Sequence, residues 1–214
     1  MSEETATTET LAYGPTEWDE HEHMPTTTGL SNEKLTMWAF LGSECLLFGA
    51  LISTYLLLRN KPDDIEGVGP KVSELFDIPF TSVSSFVLLM SSLTMVLAVQ
   101  AITKGDDRQT RLWLGTTSAF GAIFIAGQVY EFTVFYREGL GYTTNISASA
   151  FYTLTGFHGV HVSLGIVMLA SLYILSQRGR LTQKNAETVE IVGLYWHFVD
   201  IVWIVIFAIV YLIP

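Results

Sequence analysis

At 214 residues, 50% apolar and 15% charged, with mean hydropathy +0.39, the chain is too apolar for an ordinary water-soluble domain. The net charge of −10 excludes an electrostatic nucleic-acid surface. A single cysteine, Cys45, excludes an internal disulfide.

Residues 1–34 come first. They carry Glu3, Glu4, Glu9, Glu17, Asp19, Glu20, Glu22 and Glu33 against Lys34 alone, among many Thr. With no basic start leading into an apolar run, no signal peptide is expected. The segment reads as a poorly ordered or partner-bound acidic tail on the cytoplasmic side. Residues 35–214 then form one transmembrane domain.

Five apolar stretches in that domain can cross a hydrocarbon core of ~30 Å, which takes about 20 helical residues. They are Leu35–Leu58, Pro79–Thr103, Leu112–Tyr136, Ala148–Ser176 and Val189–Ile213. They lack barrel alternation, and lipid admits only helices or closed barrels. The expected fold is therefore all-α, an integral membrane bundle of five transmembrane helices. Short connections make successive helices antiparallel neighbours, except at 59–78, where Pro62, Gly67, Gly69 and Pro70 predict a long external loop.

Orientation follows from the distribution of Lys and Arg. Lys34, Lys104, Arg108, Arg111, Arg178, Arg180 and Lys184 fall on the N-terminal side, and Arg59, Lys61, Lys71 and Arg137 on the other. The N terminus is expected in the cytoplasm and the C terminus outside, in a multi-pass protein of a bacterial plasma membrane.

Small residues suggest where helices press together. The first helix aligns Ala39, Gly42, Gly49 and Ser53; the second offers Ser84, Ser85, Ser91, Ser92 and Thr94; the fourth has Gly156, Gly159 and Gly165. All three sets are expected to face the bundle interior. Glu44 shares the opposite face of its helix with Phe40, Leu41, Leu47, Phe48, Leu51 and Tyr55. On that reasoning it points outward, to lipid or another subunit, as a neutral acid open to an apolar carbodiimide.

Ionisable groups inside spans are costly and are functional candidates by default. Besides Glu44 they are His158, His161, His197 and Asp200, with Glu131 nearer the outer end of the third helix. His158 and His161, in "TGFHGVHVSLG", share a face, and two more ligands from neighbouring helices could complete a metal site. No companion cluster is visible, so the economical reading pairs a neutral imidazole with a carboxylate or carbonyl across the bundle. In the last helix Trp196, Asp200, Trp203 and Phe207 form one stripe, with His197 beside it. The expectation is a hub in which indole N–H groups and His197 donate to Asp200, fixing the fifth helix to the fourth. No catalytic, cofactor-binding or metal residue is assigned, and no phosphate loop or dinucleotide pattern occurs.

Several of these segments together resemble the subunit III family of the haem–copper oxidases, the cytochrome c oxidase family. They are "WAFLGSECLLFGAL", whose glutamate is Glu44, "LLMSSLT", "GQVYEF", "FYTLTGFHGVHVSLG" and "LYWHFVDIVWIVIFAIVY". The resemblance runs from about Met37 to the C terminus, leaves the acidic tail without a counterpart, and is to the five-helix bacterial form. It implies a non-redox accessory subunit of a proton-pumping terminal oxidase that reduces O2 to water. Haem and copper would belong to partner subunits, and none to this chain. The chain would contact subunit I, share the complex with subunit II and a small subunit IV, retain phospholipid, sustain proton uptake and protect the catalytic centre. A related subunit-III-like protein of nitric oxide reductases is the near alternative. A proton or ion transporter using Glu44, His158, His161 and Asp200 is the alternative from another class.

Overall fold

The computed structural model describes residues 29, 31–59 and 76–213. The acidic tail (except Gly29 and 31–34) and residues 60–75 of the predicted external loop lie outside the described residues. Five helices carry the described chain: α1 (Asn32–Leu58), α2 (Ile78–Thr103), α3 (Asp107–Arg137), α4 (Ile146–Gln177) and α5 (Ala186–Phe207). Each is long and apolar enough to cross a membrane, as the hydropathy pattern requires.

The helix ends follow from local chemistry. Ser31, Asp77, Asp106 and Asn145 stand at the N-caps, and each side-chain oxygen accepts a backbone N–H of the first turn. The α2–α3 turn closes at Gly105, whose φ of 74° suits the left-handed cap position. The Asp106 N–H then reaches back to the Ala101 carbonyl, and Asp106 at once caps α3. Gly139 repeats this device after α3, with the Leu140 N–H bonded to the Phe135 carbonyl. The last helix ends differently: α5 loosens into a π turn over Ala208–Leu212, which turns Val210 and Tyr211 inward.

The packing partners define the architecture. α2 packs on α3, α3 on α4, α4 on α5 and α5 on α2, while α1 touches α4 and α5. The molecule is thus a four-helix core, α2–α5, with α1 laid on its outside. Trp196, Trp203, Phe124, Met95 and Leu88 fill the centre of that core. Trp196 fits because α3 and α4 each set a glycine, Gly121 and Gly165, against its ring. A Cβ at Gly121 would lie 2.5 Å from the indole ring and one at Gly165 would lie 2.7 Å from it.

The small-residue expectation holds on α2, where Ser85, Ser91 and Thr94 are buried. On α1 it fails. Ala39, Gly42, Gly49 and Ser53 are exposed, and Leu41, Phe48 and Tyr55 are the buried side chains. A Cβ on Gly42 or Gly49 would meet nothing within 4 Å, and the same is true of Gly156 and Gly159 on α4. The reason is physical. Small residues allow close approach, but a helix that lies in a groove fills it with its large side chains.

Candidate functional site

Glu44 lies on the face of α1 that meets α4, and this corrects the outward orientation expected from the sequence. Its Oε2 lies 3.1 Å from Nε2 of His161, with the two side chains only 14% and 12% exposed. The other imidazole nitrogen, Nδ1, faces the Phe157 carbonyl at 2.7 Å and so must carry a proton. The Glu44–His161 contact therefore has two forms that differ only in where one proton sits, an ion pair or a neutral acid on a neutral imidazole. Phe48 stands edge-on to the His161 ring, 5.0 Å between centroids, and Tyr195 donates to the His161 carbonyl. α1, α4 and α5 thus converge at one half-buried polar point.

The fifth helix also departs from the expected hub. Trp196 Nε1 donates to Ser91 Oγ at 2.9 Å and Trp203 Nε1 to Ser85 Oγ at 2.8 Å. His197 Nδ1 and Ser92 Oγ share a hydrogen bond of 2.6 Å. None of the three goes to Asp200, so these ties fix α5 to α2 and not to α4. Ser85, Ser91 and Ser92 of α2 thus offer a hydroxyl to Trp203, Trp196 and His197 of α5. Asp200 is buried, and the polar side chain beside its carboxyl is Ser92 of α2, whose hydroxyl is shared with His197, not an indole.

His158, three residues before His161, turns the other way, into the core. Its ring stacks on Trp203 at 4.9 Å and 24° and meets Phe124 edge-on at 6.1 Å. Neither ring nitrogen has a hydrogen-bond partner, so the expected pairing of an imidazole with a carboxylate or carbonyl holds at His161 and not at His158. The two imidazoles do not converge on one point. Among the described residues, no group of three or more His, Cys, Asp or Glu side chains comes together.

Glu131 is the most fully bonded acid of the bundle. Thr81 Oγ1 donates to it at 3.0 Å from α2, Gln128 Nε2 at 3.1 Å from α3, and Tyr211 Oη at 3.1 Å from the π turn. Thr81, Gln128 and Tyr211 are not singled out by the sequence pattern. The spacing of Gln128 and Glu131 on one helical face is the signal that could have found the first of them.

Two further ties close the end where α1 begins. Lys34 pairs with Glu190 at 2.8 Å, and Ser31 hydrogen-bonds Glu187. Both join the start of α1 to the start of α5.

Comparison with known proteins adds the remaining observation. Residues 16–213 match the family described as Cytochrome c oxidase subunit III. The chain is 40% identical over 211 residues to a "Cytochrome c oxidase subunit 3" of Bacillus sp. (strain PS3), covering 99% of this chain and 97% of that protein. It is 38% identical to the protein of the same name from Bacillus subtilis (strain 168), covering 85% of this chain and 86% of the relative. A "Probable quinol oxidase subunit 3" of Staphylococcus saprophyticus is 39% identical, covering 84% and 88%. The first of these alignments runs through the acidic tail as well, so the likeness is wider than the stretch from Met37 that the motifs mark.

Proposed function

This chain belongs to the cytochrome c oxidase subunit III family, and from that premise we propose that it is a structural, non-redox subunit of its oxidase. The family role is that of an accessory subunit in a haem–copper terminal oxidase, a multi-subunit oxidoreductase of aerobic electron transport. The protein spans the membrane several times. The finer reading gives it no haem and no copper, and leaves both to partner subunits.

The observation that carries this reading is the use made of the polar groups inside the membrane. Glu44 with His161, Ser92 with His197, Ser91 with Trp196, Ser85 with Trp203, and Glu131 with Thr81 and Tyr211 all tie one element to another. Cross-helix bonds of this kind substitute for the water that lipid cannot supply. A rigid bundle presenting lipid and protein faces is what a stabilising subunit needs.

On this reading the chain packs against subunit I, with subunit II and a small subunit IV in the same complex. It holds phospholipid and sustains proton uptake by the catalytic subunit. The seven-to-four excess of Lys and Arg supports an N terminus in the cytoplasm and a C terminus outside, in a bacterial plasma membrane. Relatives named for cytochrome c and for quinol oxidases match about equally well, which supports assigning the choice of donor to other subunits. Their names favour an oxidase over a nitric oxide reductase.

The test is a reduced-minus-oxidised optical spectrum of the complex retrieved through a tag on this chain in mild detergent. An a-type haem band with partner subunits is the expected result. A complex without any haem, from gently solubilised membranes, would overturn the assignment.

A further inference from the structure

α2 and α5 pack side by side, and their outer edge carries a polar group far from water. His197 is only partly buried, and it lies ~12 Å inside the apolar stretch that begins at Val189. Its Nδ1 shares a hydrogen bond of 2.6 Å with Ser92 of α2. Its Nε2 has no hydrogen-bond partner among the described residues and is not enclosed by them. The surface around it is apolar. Leu89 and Val96 lie a turn to either side of Ser92, and Ile201 and Ile204 lie one and two turns beyond His197. All four are exposed.

Ser92 also stands beside the Asp200 carboxyl, so the three polar groups form one cluster from the core to the edge. A carboxylate beside a neutral imidazole is a lone charge at this depth, which lipid makes costly. The cluster therefore keeps one proton between its acid and its base. Two arrangements then place every internal hydrogen in a bond. In one, the Asp200 O–H donates to Ser92 and the Ser92 O–H donates to Nδ1 of a neutral His197. In the other, the Nδ1–H of an imidazolium donates to Ser92, and Ser92 donates to the Asp200 carboxylate. Both leave a hydrogen on Nε2. What His197 turns outward is a donor.

We propose that a helix of a partner subunit covers this face of α2 and α5 and presents an oxygen acceptor, a carbonyl or a hydroxyl, to His197 Nε2. Acyl chains accept no hydrogen bond, and an unmet N–H inside the membrane costs free energy. A second copy of this chain fits poorly, because a two-fold contact sets one His197 donor against the other. The rest of the contact is apolar, against Leu89, Val96, Ile201 and Ile204. The inference deepens the accessory-subunit reading and rests on it, since the partner belongs to the same complex.

The test is photo-cross-linking in the intact complex, retrieved through a tag on this chain in mild detergent. A benzophenone amino acid replaces Val96 or Ile201, both exposed, so the bundle keeps its core. Cross-links from both positions to a co-purifying subunit, identified by peptide mass, are expected. Products with lipid alone, or with a second copy of this chain, overturn the proposal. Co-retrieval of the cross-linked subunit then reads the hydrogen bond. His197→Phe removes the donor and is expected to lower co-retrieval by about fivefold, the effect of one hydrogen bond. Ser92→Ala breaks the internal bond, leaves the imidazole in place and is expected to retain the subunit. Full retention in His197→Phe, or an equal loss from Ser92→Ala, overturns the proposal. Haem in the same samples reports separately on the oxidase assignment, because a haem-free complex refutes that assignment while the cross-link still decides the face.

Discussion

Over their most apolar 18 residues, α1 and the α5 segment have mean hydropathies of 1.7 and 2.0, yet 11% of those residues are buried in α1 and 44% in α5. Lipid tails are as apolar as leucine, so hydropathy reports only that a helix spans and not which of its faces meets protein. What separates the two helices is the polar and aromatic inventory. α5 sends Trp196, His197 and Trp203 to three hydroxyls of α2 and stacks Trp203 on His158. Within its span α1 offers one such group, Glu44, beside the Lys34–Glu190 and Ser31–Glu187 ties at its start, and otherwise fills the α4–α5 groove with Leu41, Phe48 and Tyr55. The core helix is held by polar ties along its span, and the outer helix by one tie within its span, two at its start and three large side chains.

The sharpest way to break this contrast is to empty the centre of the core. Trp196→Ala removes a fully buried indole and its bond to Ser91, and should lower stability by about 3–5 kcal/mol. The check is the thermal unfolding midpoint in mild detergent, set against Leu46→Ala on α1. Leu46 is 77% exposed, and its truncation should cost less than about 0.5 kcal/mol.

Crowding the same place is the next largest change. Gly165→Val and Gly121→Val would drive a Cβ into the Trp196 ring and should each cost about 1–3 kcal/mol. Gly49→Ala on α1 meets open space and should stay within about 0.5 kcal/mol of the parent. A large loss from Gly49→Ala in the isolated chain would show that α1 is not the outer helix.

Glu131 tests whether polar ties of the core are structural. Glu131→Leu strands the donors of Thr81, Gln128 and Tyr211, and about 1–3 kcal/mol should be lost. The smallest expected effect is at α1. A double-mutant cycle on Glu44→Ala and His161→Ala should give a coupling of about 0.6 kcal/mol, typical of cross-helix bonds in membranes. A coupling near zero would leave the outer helix with polar ties at its start alone.

The same contrast explains what was legible in the sequence. Helix number and placement follow from apolar length, and the predicted Ala148–Ser176 span falls inside α4 with two residues to spare at its start. The α2 hydroxyls stand out as packing groups because serine has little other use there. Which face of α1 turns inward was not legible, since glycine stripes and leucine faces score alike in lipid. The bonding of Trp196 and Trp203 was missed for a related reason. One helix shows that an indole needs an acceptor, but only the pairing of α5 with α2 shows that the acceptor is a serine and not Asp200.

The most direct test of the central claim, that this chain supports the oxidase without carrying its chemistry, is an O2-consumption time course of the complex with and without it. The account predicts the same haem and copper content and a similar initial rate without the chain, followed by faster loss of activity during turnover, and recovery of the lifetime when the chain is added back. An initial rate that falls to zero, or haem lost in proportion to the chain removed, would contradict it.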